Sequence, residues 1–157
     1  MSNTYTKIYI QTVFAVKNRN ALIRKTWKER LHKYITGIIQ NMGHKLIAVN
    51  SVHNHIHIFI GYKPHMAFSD IVRDVKSNST LFINDEIRLP KKFYWQEGYG
   101  AFSYSEAQID NVVKYILNQE EHHRTKTFRE EYLSFLKEFR IEYDEKYLFD
   151  WIDDVQE

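Results

Sequence analysis

The chain has 157 residues with a net charge of +2 and no cysteine, and its length suits one domain spanning residues 1–157. The lack of cysteine excludes a disulfide framework and any cysteine-ligated zinc or iron–sulfur site, and it fits a reducing cytoplasm. No apolar run approaches the ~20 residues that span a bilayer, and the N-terminus lacks a signal-peptide pattern, so we expect a cytoplasmic protein.

The first third of the sequence predicts a strand followed by a helix. Residues 6–16 are almost continuously apolar, with many β-branched and aromatic side chains, as in a central strand. After a basic loop, Thr26 with Glu29 forms the pattern of a capping box and predicts a helix start. The helix carries one apolar stripe and ends at Gly43.

The middle of the chain predicts three strands around a second helix. Residues 45–52 and 55–62 indicate two strands with a tight connection, or one long bent strand. Residues 69–85 predict the helix, and residues 93–104 predict a last strand and its approach. The order βαββαβ is that of an α+β, ferredoxin-like split βαβ domain. We expect an antiparallel sheet with both helices on one face and the other face open.

The remaining residues predict two helices and an acidic end. Ser105 with Gln108 starts a helix that runs to about residue 123, and Thr127 starts another that runs to about residue 139. Residues 142–157 carry a charge of −6, so residues 1–141 carry +8. A basic body with an acidic tail favours a polyanionic partner, although an ordinary solvated surface gives the same pattern.

The strand at residues 55–62 carries the first candidate site. His55 and His57 fall on one face at period two, and isoleucines occupy the opposite face at 56, 58 and 60. Side chains at i and i+2 lie ~6–7 Å apart at the backbone, so two imidazoles can converge on one cation. The alternative is that the histidines only decorate the solvent face of a half-buried strand.

The helix after Ser105 carries the second candidate. Tyr115 and Gln119 lie at i and i+4 and so share one face of that helix. By itself this pair is more typical of a tyrosine at the edge of the core beside a solvated amide. His122 and His123 follow, and a cationic helix end is the simplest explanation for them.

Together the two segments resemble the HUH-type single-tyrosine transposases of small bacterial insertion sequences, including the REP-associated tyrosine transposases. The resemblance rests on His55–Ile56–His57, on Tyr115 to Gln119 within YILNQ, and on Trp95 and Tyr99, and it covers residues 4–125. One departure is Asn54, where many members carry Asp.

The resemblance implies a metal-dependent strand transferase acting on single-stranded DNA. Tyr115 would be the nucleophile that forms a 5′-phosphotyrosine, and His55, His57 and Gln119 would hold Mg²⁺ or Mn²⁺. The nitrogen ligands suit Mn²⁺ better than Mg²⁺. The resemblance also implies a bacterial protein, hairpin-forming DNA ends as substrate, and a homodimer in which the histidines of one subunit face the tyrosine of the other.

The residues that contact DNA are predicted from charge and from unpaired aromatic side chains. Lysine and arginine would neutralise phosphates, and Phe59, Tyr94 or Tyr99 could stack on bases. The basic candidates are Lys17, Arg19, Arg24, Lys25, Arg73, Lys76, Lys91 and Lys92.

Three other functions fit parts of the sequence. A nicking endonuclease of replication or plasmid transfer would share the histidines and the tyrosine, but such enzymes are usually larger. A non-catalytic nucleic-acid-binding module of the same fold would carry aromatic residues rather than histidines on its open strand face. An inactive descendant kept for DNA binding would have no need of the intact histidine, tyrosine and glutamine set.

Overall fold

A four-stranded antiparallel sheet forms the centre of the computed structural model, which describes residues 3–152. Its strands are β1 (Ile8–Ala15), β2 (Lys45–Val52), β3 (His55–Tyr62) and β4 (Gly100–Tyr104), in the order β2-β3-β1-β4. Strand β3 therefore lies between two neighbours, with His57 opposite Val13 of β1 and Asn50 of β2. The predicted βαββαβ order and ferredoxin-like class are confirmed.

Helices α1 (Lys28–Asn41) and α2 (Phe68–Phe82) cover one face of the sheet. The isoleucines of β3 at 56, 58 and 60 are at most 1% exposed and belong to the main apolar core with both helices. Gly43 follows α1 with φ 87°, a left-handed conformation that glycine adopts without strain. The described part of the chain contains no helix long and apolar enough to cross a membrane.

The opposite face of the sheet is also covered, so the expectation of an open face is wrong. Helices α3 (Ile109–Leu117), α4 (Gln119–Thr125) and α5 (Phe128–Glu138) pack there. Phe59 is fully buried in a second apolar cluster with Val112 and Ile116 of α3. The apolar stripe of α3 needs a surface to cover it, and the histidine-bearing face of the sheet supplies that surface. Phe59 is therefore unavailable for stacking on DNA bases.

Three predicted boundaries also differ from the structure. Helix α1 begins at Lys28 rather than Thr26, because the backbone of residues 24–28 forms a turn in which the Trp27 and Lys28 N–H groups donate to the Arg24 oxygen. The single helix predicted to run from residue 105 to residue 123 is interrupted at Asn118, where φ is −101° and ψ is 25°. The last strand is confined to β4, with an isolated bridge between Val16 and Trp95 ahead of it.

The predicted acidic tail is partly a structural element. Phe149 is 7% exposed and packs on Phe128 and Tyr132 of α5, with ring centroids 5.8 and 5.0 Å away. The Gln96 side chain accepts from the Asp150 backbone N–H and donates to the Asp150 oxygen. The tail thus connects α5 with the segment before β4, while the predicted acidic residues at 153, 154 and 157 lie outside the described residues.

Replacing Phe149 with alanine should therefore destabilise the whole domain. Removal of a buried phenylalanine ring leaves a cavity, and such changes cost about 3–5 kcal/mol of unfolding free energy. Urea denaturation of Phe149→Ala measures this loss. Tyr147→Ala is the matched control, because Tyr147 is 80% exposed and its removal should change stability little. Equal stabilities for the two variants would contradict the role of the tail.

A buried histidine of α1 should make stability depend on pH. His32 lies beside the Ser51 hydroxyl with its Nε2 2.8 Å from Oγ, and burial lowers the pKa of His32 to about 4. The unfolded chain therefore binds a proton between about pH 6.5 and 4 that the folded chain does not. The free energy of unfolding therefore falls as the pH drops through this window. At pH 5 the unprotonated His32 lowers it by about 2 kcal/mol.

The His32→Gln variant should lose this part of the acid sensitivity. Urea denaturation of the wild type and the variant at pH 7 and pH 5 measures the difference, since all other groups titrate in both proteins. Parallel losses in the two proteins would show that His32 takes up no proton in this window.

Candidate active site

The two histidines of β3 present Nε2 to one buried point. His55 Nδ1 donates to the Asn54 side-chain oxygen at 2.7 Å, and His57 Nδ1 donates to the Gln11 side-chain oxygen at 2.7 Å. Both rings are fully buried. A hydrogen bond at Nδ1 fixes the ring orientation and leaves Nε2 available to bind a metal ion, as is usual for metal-binding histidines.

A carboxylate that the sequence did not predict lies at this point. Glu131 of α5 is 2% exposed, and its Oε1 is 3.1 Å from His55 Nε2 and 3.2 Å from His57 Nε2. His123 of α4 places Nε2 3.2 Å from the same oxygen. Three imidazoles from two elements thus surround one carboxylate oxygen of a third element.

The predicted tyrosine and glutamine join the same cluster. The Tyr115 hydroxyl donates to Glu131 Oε2, and the Gln119 amide donates to that oxygen at 3.1 Å. Gln119 is fully buried, with Oε1 3.4 Å from His55 Nε2. Although the helix is interrupted at Asn118, both side chains reach the histidines. The phenol also lies in the same chain as the imidazoles, with the Tyr115 and His57 ring centroids 6.1 Å apart.

Burial and charge set opposite protonation preferences in this cluster. Burial lowers the pKa of His55 to about 4, so that its imidazole is neutral at pH 7. Burial also opposes the charged form of Glu131, but the charge of His57 and the hydrogen bond from His123 outweigh it and hold the pKa of Glu131 well below its usual range. Burial and the adjacent Glu131 raise the pKa of Tyr115, which keeps the phenol protonated.

The residues present fit a divalent cation. With Nδ1 protonated, a neutral imidazole carries a lone pair rather than a proton at Nε2. The neutral His55 ring therefore turns a lone pair toward an ionised carboxylate oxygen at 3.1 Å, and the two repel each other unless positive charge lies beside them. The ligand atoms of His55, His57 and Glu131 all lie within 4.8 Å of one another. Imidazole with carboxylate is an acceptable ligand set for Mn²⁺ and a less favourable one for Mg²⁺.

The predicted basic residues are dispersed over the surface rather than gathered at the cluster. Lys17, Lys91 and Lys92 are exposed near the β1 end and before β4. Arg73 forms exposed ion pairs with Asp70 and Asp74. Arg19 is exposed in the loop after β1.

Lys76 differs from the other basic candidates because it is engaged within the fold. Its ammonium donates to the Gln96 and Gly98 oxygens at 2.8 and 2.6 Å. Burial lowers the pKa of Lys76 to about 8. The side chain therefore holds the approach to β4, in addition to any contact with DNA.

Two residues of the cluster, Glu131 and His123, were not predicted as site residues, although the sequence contains a signal for each. Glu131 lies at i+3 from Phe128 and i−4 from Phe135, inside the buried stripe of α5, where a lone carboxylate is unusual. His123 lies four residues after Gln119 and so shares its face of α4. Neither spacing identifies the partner, because the partners come from distant segments.

The sequence and the fold are both similar to those of known transposases. The family described as "Transposase IS200 like" matches residues 4–119. A candidate transposase from Deinococcus radiodurans R1 has a similar fold, with a TM-score of 0.59 and 21% identity over 76% of this chain and 95% of that chain. A REP-associated tyrosine transposase bound to a REP hairpin is also similar, with a TM-score of 0.58 and 17% identity over 78% of this chain and 73% of that one. No curated protein matches the sequence.

Proposed function

The chain belongs to the IS200-like transposase family, and from that membership we propose that it cleaves and rejoins single-stranded DNA through a covalent bond to Tyr115. The observation that carries the proposal is the meeting of the Tyr115 hydroxyl with the imidazoles of His55 and His57 at one carboxylate, Glu131. A nucleophile and a cation-binding set in contact are the two parts that such a reaction needs.

The chemistry at Tyr115 is a transfer of a phosphoryl group between two oxygens. The phenol gives up its proton to the Glu131 carboxylate that accepts from it, its oxygen attacks phosphorus to form the new bond, and the bond to the 3′-oxygen breaks. The departing 3′-oxygen gains a proton and becomes a free hydroxyl, and the 5′-phosphate stays on the protein. Attack by a 3′-hydroxyl reverses the step, so rejoining needs no nucleotide cofactor.

His55, His57 and Glu131 would hold the divalent ion, with Gln119 beside them. A bound Mg²⁺ or Mn²⁺ supplies Lewis-acid polarisation of the phosphate and stabilises charge on the leaving oxygen. Asn54 and Gln11 keep the two imidazoles in the binding orientation through Nδ1. Glu131 also positions the nucleophile, since its second oxygen accepts from Tyr115.

The proposed substrate is a single strand that folds into a hairpin. The net positive charge of residues 1–141 supports a polyanionic partner. The proposed phosphate contacts are the exposed Lys17, Arg19, Arg73, Lys91 and Lys92, together with Lys76. Tyr94 and Tyr99 are exposed enough to stack on bases.

The proposed activity is tested with hairpins formed by the DNA that flanks the gene. Incubation with Mn²⁺ should give a protein–DNA adduct that survives denaturation and migrates as a slower band on a denaturing gel. Omission of the metal, or addition of a chelator, should remove that band. Failure to form an adduct with any hairpin in Mn²⁺ or Mg²⁺ would overturn the proposal.

A mixing experiment decides between a site complete in one chain and a homodimer with exchanged helices. Because Tyr115 and His57 of one chain lie together, we expect a mixture of Tyr115→Phe and His57→Ala proteins to stay inactive. Recovery of the adduct in the mixture would instead support the homodimer that the family resemblance implied.

A further inference from the structure

A cavity of about 330 Å³ opens beside the candidate nucleophile. Tyr115 and Glu131 line one side of it, so a group bound there lies next to the reacting hydroxyl. The volume is in the range of sites that bind small organic groups. Part of the lining comes from α5 and from Lys126, which lie beyond the residues 4–119 that match the family.

The apolar part of this cavity can pack against a flat ring. Tyr104 and Phe135 contribute aromatic side chains to the lining. Both are held by other rings, since Phe135 stacks on Phe102 at 4.9 Å between centroids and Tyr104 contacts Phe139 at 5.5 Å. Rings that are fixed in this way give stacking energy with little loss of side-chain entropy.

The polar part of the lining can both accept and donate hydrogen bonds. Glu138 offers an acceptor, and Asn111 offers both an acceptor and donors. Gln108 uses its amide oxygen to accept from the Ser105 backbone, so its NH₂ is the group that it can offer. Among the bases, adenine, cytosine and guanine carry an exocyclic amine that can donate to a carboxylate, whereas thymine does not.

The charges in the cavity limit how much phosphate it accepts. Lys126 is the cation in the lining, and its ammonium lies 3.0 Å from the Ser134 hydroxyl. Two carboxylates, Glu131 and Glu138, oppose it. This balance disfavours a polyphosphate, and Lys126 is the group in the lining that can pair with a single phosphate.

We propose that this cavity is a subsite for the unpaired nucleotide beside the scissile phosphate. Its base lies between Tyr104 and Phe135 with its exocyclic amine at Glu138, and its phosphate lies at Lys126. The subsite selects adenine, cytosine or guanine over thymine. The proposal rests on the proposed function, because the neighbouring Tyr115 makes the bound nucleotide a flank of the cleaved bond.

Binding of deoxynucleoside 5′-monophosphates tests the subsite without any cleavage. Titrations of dCMP and dTMP are followed by the side-chain amide signals of Gln108 and Asn111 in nitrogen–proton NMR spectra. We expect dCMP to shift these signals with a dissociation constant at least about tenfold lower than that of dTMP. Equal constants, or shifts confined to other residues, would overturn the proposal.

Two variants with matched controls separate recognition of the base from recognition of the phosphate. Glu138→Gln should reduce the preference for dCMP over dTMP to about threefold or less, while Glu142→Gln, in an exposed residue outside the cavity, retains it. Lys126→Ala should weaken the binding of dCMP about fivefold and leave the binding of deoxycytidine unchanged. Lys137→Ala should change the binding of neither compound. Identical behaviour of each variant and its control would contradict the assignment.

Adduct formation then shows whether the subsite serves cleavage. With hairpins that vary one nucleotide on each side of the cleaved bond, thymine or an abasic residue on one side should slow the adduct at least about tenfold. If the rate of adduct formation does not depend on the nucleotide at either side of the cleaved bond, the placement of the subsite beside the scissile phosphate is wrong. If mononucleotides bind as expected but no DNA gives an adduct, the nucleotide site stands and the proposed cleavage fails.

Discussion

Tyr115→Phe should abolish the covalent adduct, with a loss of at least about 1,000-fold in its rate of formation. The variant lacks the only oxygen through which this side chain can attack phosphorus. The phenyl ring keeps its packing, and the lost hydroxyl contact is the one to Glu131. The measurement is the slower band on a denaturing gel, quantified against time with labelled hairpin DNA and Mn²⁺.

The control for this variant is Tyr143→Phe, because Tyr143 is 49% exposed and is not a member of the cluster. It should form the adduct at the wild-type rate. Hairpin binding by Tyr115→Phe, measured by a mobility shift, should also match the wild type. An undiminished adduct in Tyr115→Phe would mean that another residue is the nucleophile.

His57→Ala should reduce cleavage at least about 100-fold and change hairpin binding far less. The variant removes a proposed ligand nitrogen next to Glu131, and metal-ion catalysis contributes several kcal/mol to such reactions. The rate of adduct formation and the dissociation constant for hairpin DNA measure the two effects separately. In parallel, addition of Mn²⁺ should raise the melting temperature of the wild type and not that of the variant.

His65→Ala serves as the comparison, since His65 is an exposed imidazole that stacks on His44 away from the cluster. It should retain both cleavage and stabilisation by Mn²⁺. Equal losses of cleavage and DNA binding in His57→Ala would indicate that the buried imidazole supports the fold rather than the reaction.

Local patterns in the sequence were sufficient to predict the sheet and the principal side chains. Alternation of histidine and isoleucine in β3 placed the imidazoles on one face, and the spacing of Tyr115 and Gln119 placed a phenol and an amide together. The structure confirms both placements, and all four side chains share one cluster. Period-two and i, i+4 rules depend only on neighbouring residues, which is why they succeed here.

The burial of the site could not be predicted from local sequence patterns, because it depends on packing between segments that are far apart in the chain. The sheet face with His55 was expected to be open, but α5 and the tail close over it. Asn54 shows the connection, since its side-chain oxygen accepts from His55 while its nitrogen donates to the Ile152 oxygen, nearly a hundred residues away. Glu131 enters the cluster for the same reason, because the aromatic residues around it bring α5 onto the histidines.

Anomalous diffraction from crystals soaked in Mn²⁺ tests the central claim most directly. The account predicts one strong manganese peak between the Nε2 atoms of His55 and His57 and the Glu131 carboxylate, next to the Tyr115 oxygen of the same chain. Absence of a peak there at saturating Mn²⁺, with the imidazoles still in contact with Glu131, would contradict it.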